Sequence, residues 1–270
     1  MASCTRRRAH TPTWAAVALV FTTGALDARW FGYRSYDSFD VDPGEQLVVV
    51  HDAADGRVRG IAVGNELGRR RVGAIGGVAA DTLARSDSRS LAVIGTGTQA
   101  WAQLCAISAV RDLAEVRVHS RGAERRRAFA GRAESELGLA ARATPAAREA
   151  VEGADIVVLA TNSAIPVIDP DWLAPGSFST TVGPKQVGRA EFGPELAAVS
   201  DLVFADSVAQ ISAYDPPNVL VGTPQQHRVV SLGAVLAGDA RGRTGEEQRV
   251  LFCSVGLAGT EAFLLDRLLG

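Results

Sequence analysis

Two stretches bring together residue types that could do chemistry. In "LAVIGTGTQAWAQL", residues 91 to 104, an apolar strand-like run meets a glycine turn and then a helical pattern. Gly95 permits a tight turn, Gly97 lets backbone approach an anion, and a helix opening at Thr98 or Gln99 offers free N–H groups and the positive end of its dipole. Gly95, Thr96, Gly97, Thr98, Gln99 and Ala100 thus read as a G-x-G-x-x-A turn that holds a dinucleotide pyrophosphate. A tight turn that binds nothing is the plainer alternative.

The second stretch, "VHSRGAERRR", ends the next strand-like run. A site for NAD expects Asp or Glu there, accepting hydrogen bonds from the ribose hydroxyls. Ser120 and Arg121 stand in that place instead, with Arg125 and Arg126 following. A guanidinium suits a phosphate by charge and by its forked donors. The expected cofactor is therefore NADP(H), ahead of NAD(H); otherwise these arginines form a solvated helix face.

Composition limits what else the chain can be. Its 270 residues are 47% apolar, enough for one large or two modest domains, and the net charge of −2 gives no basic excess for nucleic acid or an anionic membrane. Cys4, Cys105 and Cys253 are an odd, widely spaced set without a metal-ligand pattern, which reads as reduced thiols in a cytoplasmic protein with no metal site. His10, His51, His119 and His227 are equally scattered and read as structural. The basic start and the apolar run from Trp14 to Phe21 imitate a signal peptide, but the run is short even for that and too short to span a bilayer. A buried strand or helix is the expectation there.

The elements that must position these residues alternate. Residues 47 to 64 read as a hairpin around "ADG", and "GRRRVGAIGGVAADTLAR" as a helix of small residues. After the polar "SDSRS", strands at Leu91–Ile94, "EVRVHS", "DIVVLAT", "LAPGSFSTTVG" and "DLVFADS" are interleaved with helices, one carrying Leu104 and Ile107 and one spelling "AERRRAFAGRAESELG". Alternation of this kind predicts an α/β fold, a Rossmann-type doubly wound parallel sheet.

"LAVIGTGTQA", "ADIVVLATNSAIPV", "LAPGSFSTTVG" and "LFCSVGLAGTE", in that order and spacing, resemble the ornithine cyclodeaminase/mu-crystallin family from about Leu47 to Glu261. The resemblance implies a dinucleotide domain, residues 89–251, and a smaller α+β substrate and dimerisation domain from both chain ends, residues 1–88 with 252–270. It further implies a homodimer and a small amino, imino or keto acid substrate. By the same resemblance, Arg71 in "RRRVGAIGG" corresponds to the arginine that grips the substrate carboxylate. Thr161, Asn162 and Ser163 correspond to the loop beside the nicotinamide ribose. Val182 is a further cofactor contact, and Ser254, Val255 and Gly256 belong to the segment approaching the nicotinamide; read without the family, that segment is a packing turn.

Two positions depart from the family. "VGPKQVGRAE" keeps Gly183 and Glu191 but has Lys185 where cyclodeaminases carry an aspartate, which inverts the local charge and would repel ornithine. Arg34 in "FGYRSYDSF" stands where many members have a lysine; it can hold a carboxylate but is a poor proton donor. Arg34, Arg71 and Lys185 together suggest an anionic substrate with a second carboxylate, and Lys185 as proton donor where neighbouring arginines depress its pKa. Asp206 in "FADS" is a candidate for touching substrate or nicotinamide, or a cap; Trp101 reads as a packing residue. The expected activity is an NADP-dependent oxidation or reduction at the C–N bond of an amino, imino or ketimine acid. The rivals are a cyclodeaminase with bound NAD and a non-catalytic NADPH-binding protein. Chain ends shorter than is usual in the family fit either a compact member or a truncated one.

Overall fold

The computed structural model describes Thr5–Arg8 by its backbone, and residues 20–36 and 46–270 with their side chains. His10, Cys4 and most of the Trp14–Phe21 run lie outside the described residues. By their contacts the residues form two compact units, Met1–Arg71 with Leu257–Gly270, and Val72–Gly256.

The first unit is an antiparallel sheet with strands in chain order, β1 (Thr5–Arg8), β2 (Val20–Leu26), β3 (Trp30–Tyr36), β4 (Gln46–Asp52) and β5 (Val58–Val63). The hairpin read from residues 47–64 is β4 and β5. Strand alternation turns Trp30, Val48 and Val50 towards one face, where Ala262 and Leu265 of the last helix (Thr260–Leu269) complete a small core. Glycine lets that helix come close: a Cβ on Gly24 would lie 2.5 Å from the Cα of Gly259, and one on Gly32 would lie 2.9 Å from Cβ of Ala262. The helix also carries a buried carboxylate, Asp266, bonded by Arg59 and by Arg29 at 3.4 Å.

Helix α1 (Glu66–Leu83) starts in this unit and continues into the next. The second unit then runs β6 (Ser90–Ile94), α2 (Thr98–Ser108), β7 (Glu115–His119), α3 (Ala123–Leu137), β8 (Ala141–Ala143), α4 (Ala147–Val151), β9 (Ile156–Leu159) and β10 (Phe178–Thr181). A short antiparallel pair, β11 (Lys185–Gln186) and β12 (Arg189–Ala190), precedes α5 (Pro194–Ala198), β13 (Leu202–Ala205), α6 (Val208–Ala213), β14 (Val229–Ser231), α7 (Leu232–Leu236) and β15 (Val250–Cys253). The last helix is α8.

Eight of these strands form one parallel sheet in the order β14-β13-β15-β10-β9-β6-β7-β8. Both faces are covered, and alternate residues divide between two cores: Leu91 and Val93 of β6, Ile156 and Val158 of β9, and Val250 and Phe252 of β15 enter one, while Ala92, Ile94, Val157, Leu159, Leu251 and Cys253 enter the other. The run "LFC", quoted only as part of the family match, is thus a central strand, and the turn is confined to residues 254–259. Its reach is too short for periodicity to separate strand from loop. Among the described residues no helix is long and apolar enough to cross a membrane.

The small residues of α1 have a packing reason. Cβ atoms on Gly73 and Gly77 would lie 2.5 Å from the carbonyl oxygen of Ala102 and 3.0 Å from Cβ of Ala106, so α1 and α2 meet almost backbone to backbone. Alanine is preferred to glycine in a free helix by about 1 kcal/mol, whereas forcing apart a tight contact costs about 1–3 kcal/mol. Gly73→Ala should therefore lower the melting temperature in calorimetry; a rise would mean the two helices have room to spare.

Candidate functional site

The glycine turn sits where the sheet changes direction. From β6 the chain moves outward through β7 and β8, then returns to place β9 on the other side of β6. Such a switch point leaves a crevice at the carboxyl ends of the strands. Gly95 has φ +120°, its N–H donates to the His119 carbonyl at 2.8 Å, and a Cβ there would fall 2.2 Å from the Ala160 carbonyl oxygen. Only glycine fits. Gly97 differs: its φ is −83°, a Cβ would meet nothing within 4 Å, and no side chain caps the helix that starts after it. Open space therefore lies over the start of α2, whose first N–H groups have no partner within the helix. Thr96 and Gln99 are half-buried, Thr98 is exposed, and Ala100 is packed into the core.

Beside this turn, β7 ends at His119, in register with Ile94 of β6, and Ser120 follows. Arg126 folds back to donate to the Ser120 carbonyl at 3.0 Å. Arg121 and Arg125 are exposed and form no ion pair with the described residues. Trp101 packs edge-on against Phe129, with the Arg132 guanidinium over its ring.

Three loops at the same ends of the strands are fixed by two buried carboxylates. Glu191 accepts from the Thr161 N–H at 2.7 Å, the Thr161 hydroxyl at 2.8 Å, the Val182 N–H at 3.2 Å and the Gly183 N–H, joining the segments after β9 and β10. Burial pushes its carboxyl above the ordinary range, against the pull of the bonds from Thr161 and Gly183 and of the Lys185 charge. Ser163 donates its N–H to the Thr161 hydroxyl at 3.1 Å, and Asn162 between them is exposed. Lys185 is buried at the start of β11, its ammonium 3.3 Å from the Val182 carbonyl. Asp206 accepts from the N–H groups of Val255 at 2.8 Å and Gly256 at 2.9 Å, so it braces the loop after β15. Ser254 is buried in that loop, and the neighbouring Cys253 thiol is pushed up to about 12 by burial, which leaves it inert.

The other unit holds a separate charged cluster. Arg34 on β3 and Arg71 on α1 both donate at 2.7 Å to one oxygen of Glu261, in the first turn of α8. Glu261 is 1% exposed. Arg34 also donates to Gln46 at 3.0 Å and lies 4.2 Å above the Tyr36 ring; burial lowers its pKa while Glu261 opposes the shift. Of the arginine run, Arg70 faces outward and pairs with Glu66, whereas the Arg71 side chain is 11% exposed and its Nη1 is buried with no partner among the described residues.

The profile of the ornithine cyclodeaminase/mu-crystallin family matches residues 36–265. The chain belongs to this family. A putative dehydrogenase of Rhizobium meliloti is 31% identical over 246 residues, 90% of this chain and 72% of the relative. A Delta(1)-pyrroline-2-carboxylate reductase of Bacillus cereus is 31% identical over 217 residues, 78% of this chain and 66% of the relative, so the chain spans about two thirds of that protein's length. An archaeal alanine dehydrogenase dimer, solved with bound NAD, superposes with a TM-score of 0.84 at 25% identity, covering 99% of this chain and 84% of that one.

Within the Val72–Gly256 unit the residues singled out from the sequence as cofactor contacts gather at one end of the sheet. Arg34 and Arg71, far apart in sequence, meet on one carboxylate of the other unit. Sequence reasoning missed Glu261 as a partner of both: its bonds span 227 and 190 residues, and a lone Glu opening a helix reads as a dipole partner. Glu191 was noted as a family match without its bracing role, and Gln46 and Tyr36 carried no signal.

Proposed function

We propose that this family member is an NADP-dependent oxidoreductase acting at the C–N bond of an amino, imino or ketimine acid. The observation that carries the reading is the open, uncapped start of α2 over Gly97, with Ser120, Arg121, Arg125 and Arg126 alongside. Gly95, Thr96, Gly97, Thr98, Gln99 and Ala100 would hold the pyrophosphate by backbone N–H groups, and the arginines would take the 2′-phosphate that distinguishes NADP. Thr161, Asn162, Ser163, Val182, Ser254 and Gly256 would line the nicotinamide end. When bound, the nicotinamide supplies or accepts the hydride.

The chain's own residues do the remainder. Arg71 and Arg34 bind the substrate carboxylate, and Lys185 moves a proton to or from the reacting nitrogen. Relatives named for reduction of pyrroline-2-carboxylate support the substrate class. The lysine at 185 in place of the cyclodeaminase aspartate favours reduction over ammonia release. Dimerisation would use the sheet face opposite α8, where Phe31, Ile61 and Val63 are 43%, 59% and 72% exposed.

The first test is a fluorescence titration with NADPH and, separately, NADH. Preferential NADPH binding supports the reading, and Gly97→Ala should abolish it while melting within about 1 °C of the wild type, since no protein atom meets the new methyl. Equal affinities would remove the assignment of the arginines, and no binding of either would favour a non-catalytic remnant. Lys185→Met should lower kcat by about 10²–10⁴ with NADPH affinity unchanged; full turnover excludes Lys185 as the proton donor. Light scattering should show a dimer that Ile61→Lys with Val63→Lys converts to a monomer, and a monomeric wild type overturns that part.

A further inference from the structure

We infer that Glu261 sets the charge that Arg34 and Arg71 can accept, so that the cluster takes one substrate carboxylate and rejects a second. This rests on the carboxylate-clamp reading above. Both guanidinia donate to the same Glu261 oxygen at 2.7 Å, and all three side chains are nearly out of water, at 12%, 11% and 1% exposure for Arg34, Arg71 and Glu261. Two positive groups and one negative leave a single positive charge. One carboxylate neutralises it; a second, buried there, would have no countercharge.

The shared oxygen also fixes which N–H groups remain. Arg71 gives its Nε to Glu261, and its Nη1 is buried with no partner among the described residues, a donor that a bound carboxylate can satisfy. Arg34 gives Nη1 to Glu261 and Nε to Gln46, with the Tyr36 ring against its plane. Glu261 is thus a positioning residue that acts through both arginines. The sequence-based expectation of a dicarboxylate counted Arg34, Arg71 and Lys185 as cations and left Glu261 out; including it reverses that expectation for the arginine cluster.

The test measures binding of L-proline, L-aspartate and L-prolinamide to the NADPH-saturated protein by calorimetry, in the wild type and in Glu261→Gln, Glu261→Asp and Arg34→Gln. The wild type should prefer proline to aspartate. Glu261→Gln raises the net charge by one, and the ratio should move towards aspartate by about tenfold or more, while Glu261→Asp keeps the wild-type order. Should Glu261→Gln fail to fold, Arg34→Gln reads the same balance from the other side: Arg71 then only neutralises Glu261, and preference shifts from proline to prolinamide, which has no carboxylate. Unchanged ratios in a folded variant overturn the role of Glu261 alone. Failure of the wild type to bind either acid overturns the clamp itself, and this inference with it.

Discussion

A carboxylate taken out of water must be met by donors or it will not stay charged, and among the described residues four such groups organise the protein. Glu191 and Asp206 are met mainly by backbone N–H groups, Glu261 and Asp266 by guanidinia. The difference in partner sets the difference in consequence. Backbone donors cannot move without moving the chain, so Glu191 and Asp206 fix the paths of the loops leaving β9, β10 and β15. Arginines keep further N–H groups after one bond is made, so Glu261 leaves a charged, partly satisfied cluster where Asp266 holds α8 against its sheet.

Glycine supplies the complementary constraint. Gly95 is required by a left-handed backbone and by a carbonyl 2.2 Å from any Cβ, Gly73 by a neighbouring helix, and Gly24 and Gly259 by each other. Gly97 is alone among these in having nothing of the protein against it. Packing explains the first four. Nothing of the protein explains the fifth; the proposed pyrophosphate contact would.

Much of the parallel sheet was legible because β6, β9 and β10 are short apolar or small-residue runs bounded by turn signals, with helices of clear period between them. The antiparallel strands β2 and β3 were not, because "VFTTGAL" and "WFGYRSY" mix half-buried and exposed positions without strict alternation. Strand β15 hid inside a segment matched to the family for another reason. The glycine turn and the arginines after β7 are local patterns and could be read in place. The Arg34–Arg71–Glu261 cluster is made by contacts across most of the chain, and only the resemblance, not the pattern, singled out its two cations.

The same bookkeeping of donors narrows the acid–base chemistry open to the Val72–Gly256 unit. Glu191 accepts four bonds that tie two loops together, and Asp206 accepts two that hold a third, so removing either from its partners to take up a proton would loosen the loops that it fixes. Cys253, its thiol pushed up to about 12, stays protonated at neutral pH and packs in the core. His119 engages the Thr144 carbonyl through Nδ1 at 3.1 Å, on the side of the sheet where β7 meets β8. Lys185 is buried beside the turn after β10, and its charge acts on the Glu191 carboxyl. Under the proposed mechanism it is the group that exchanges a proton with the substrate nitrogen.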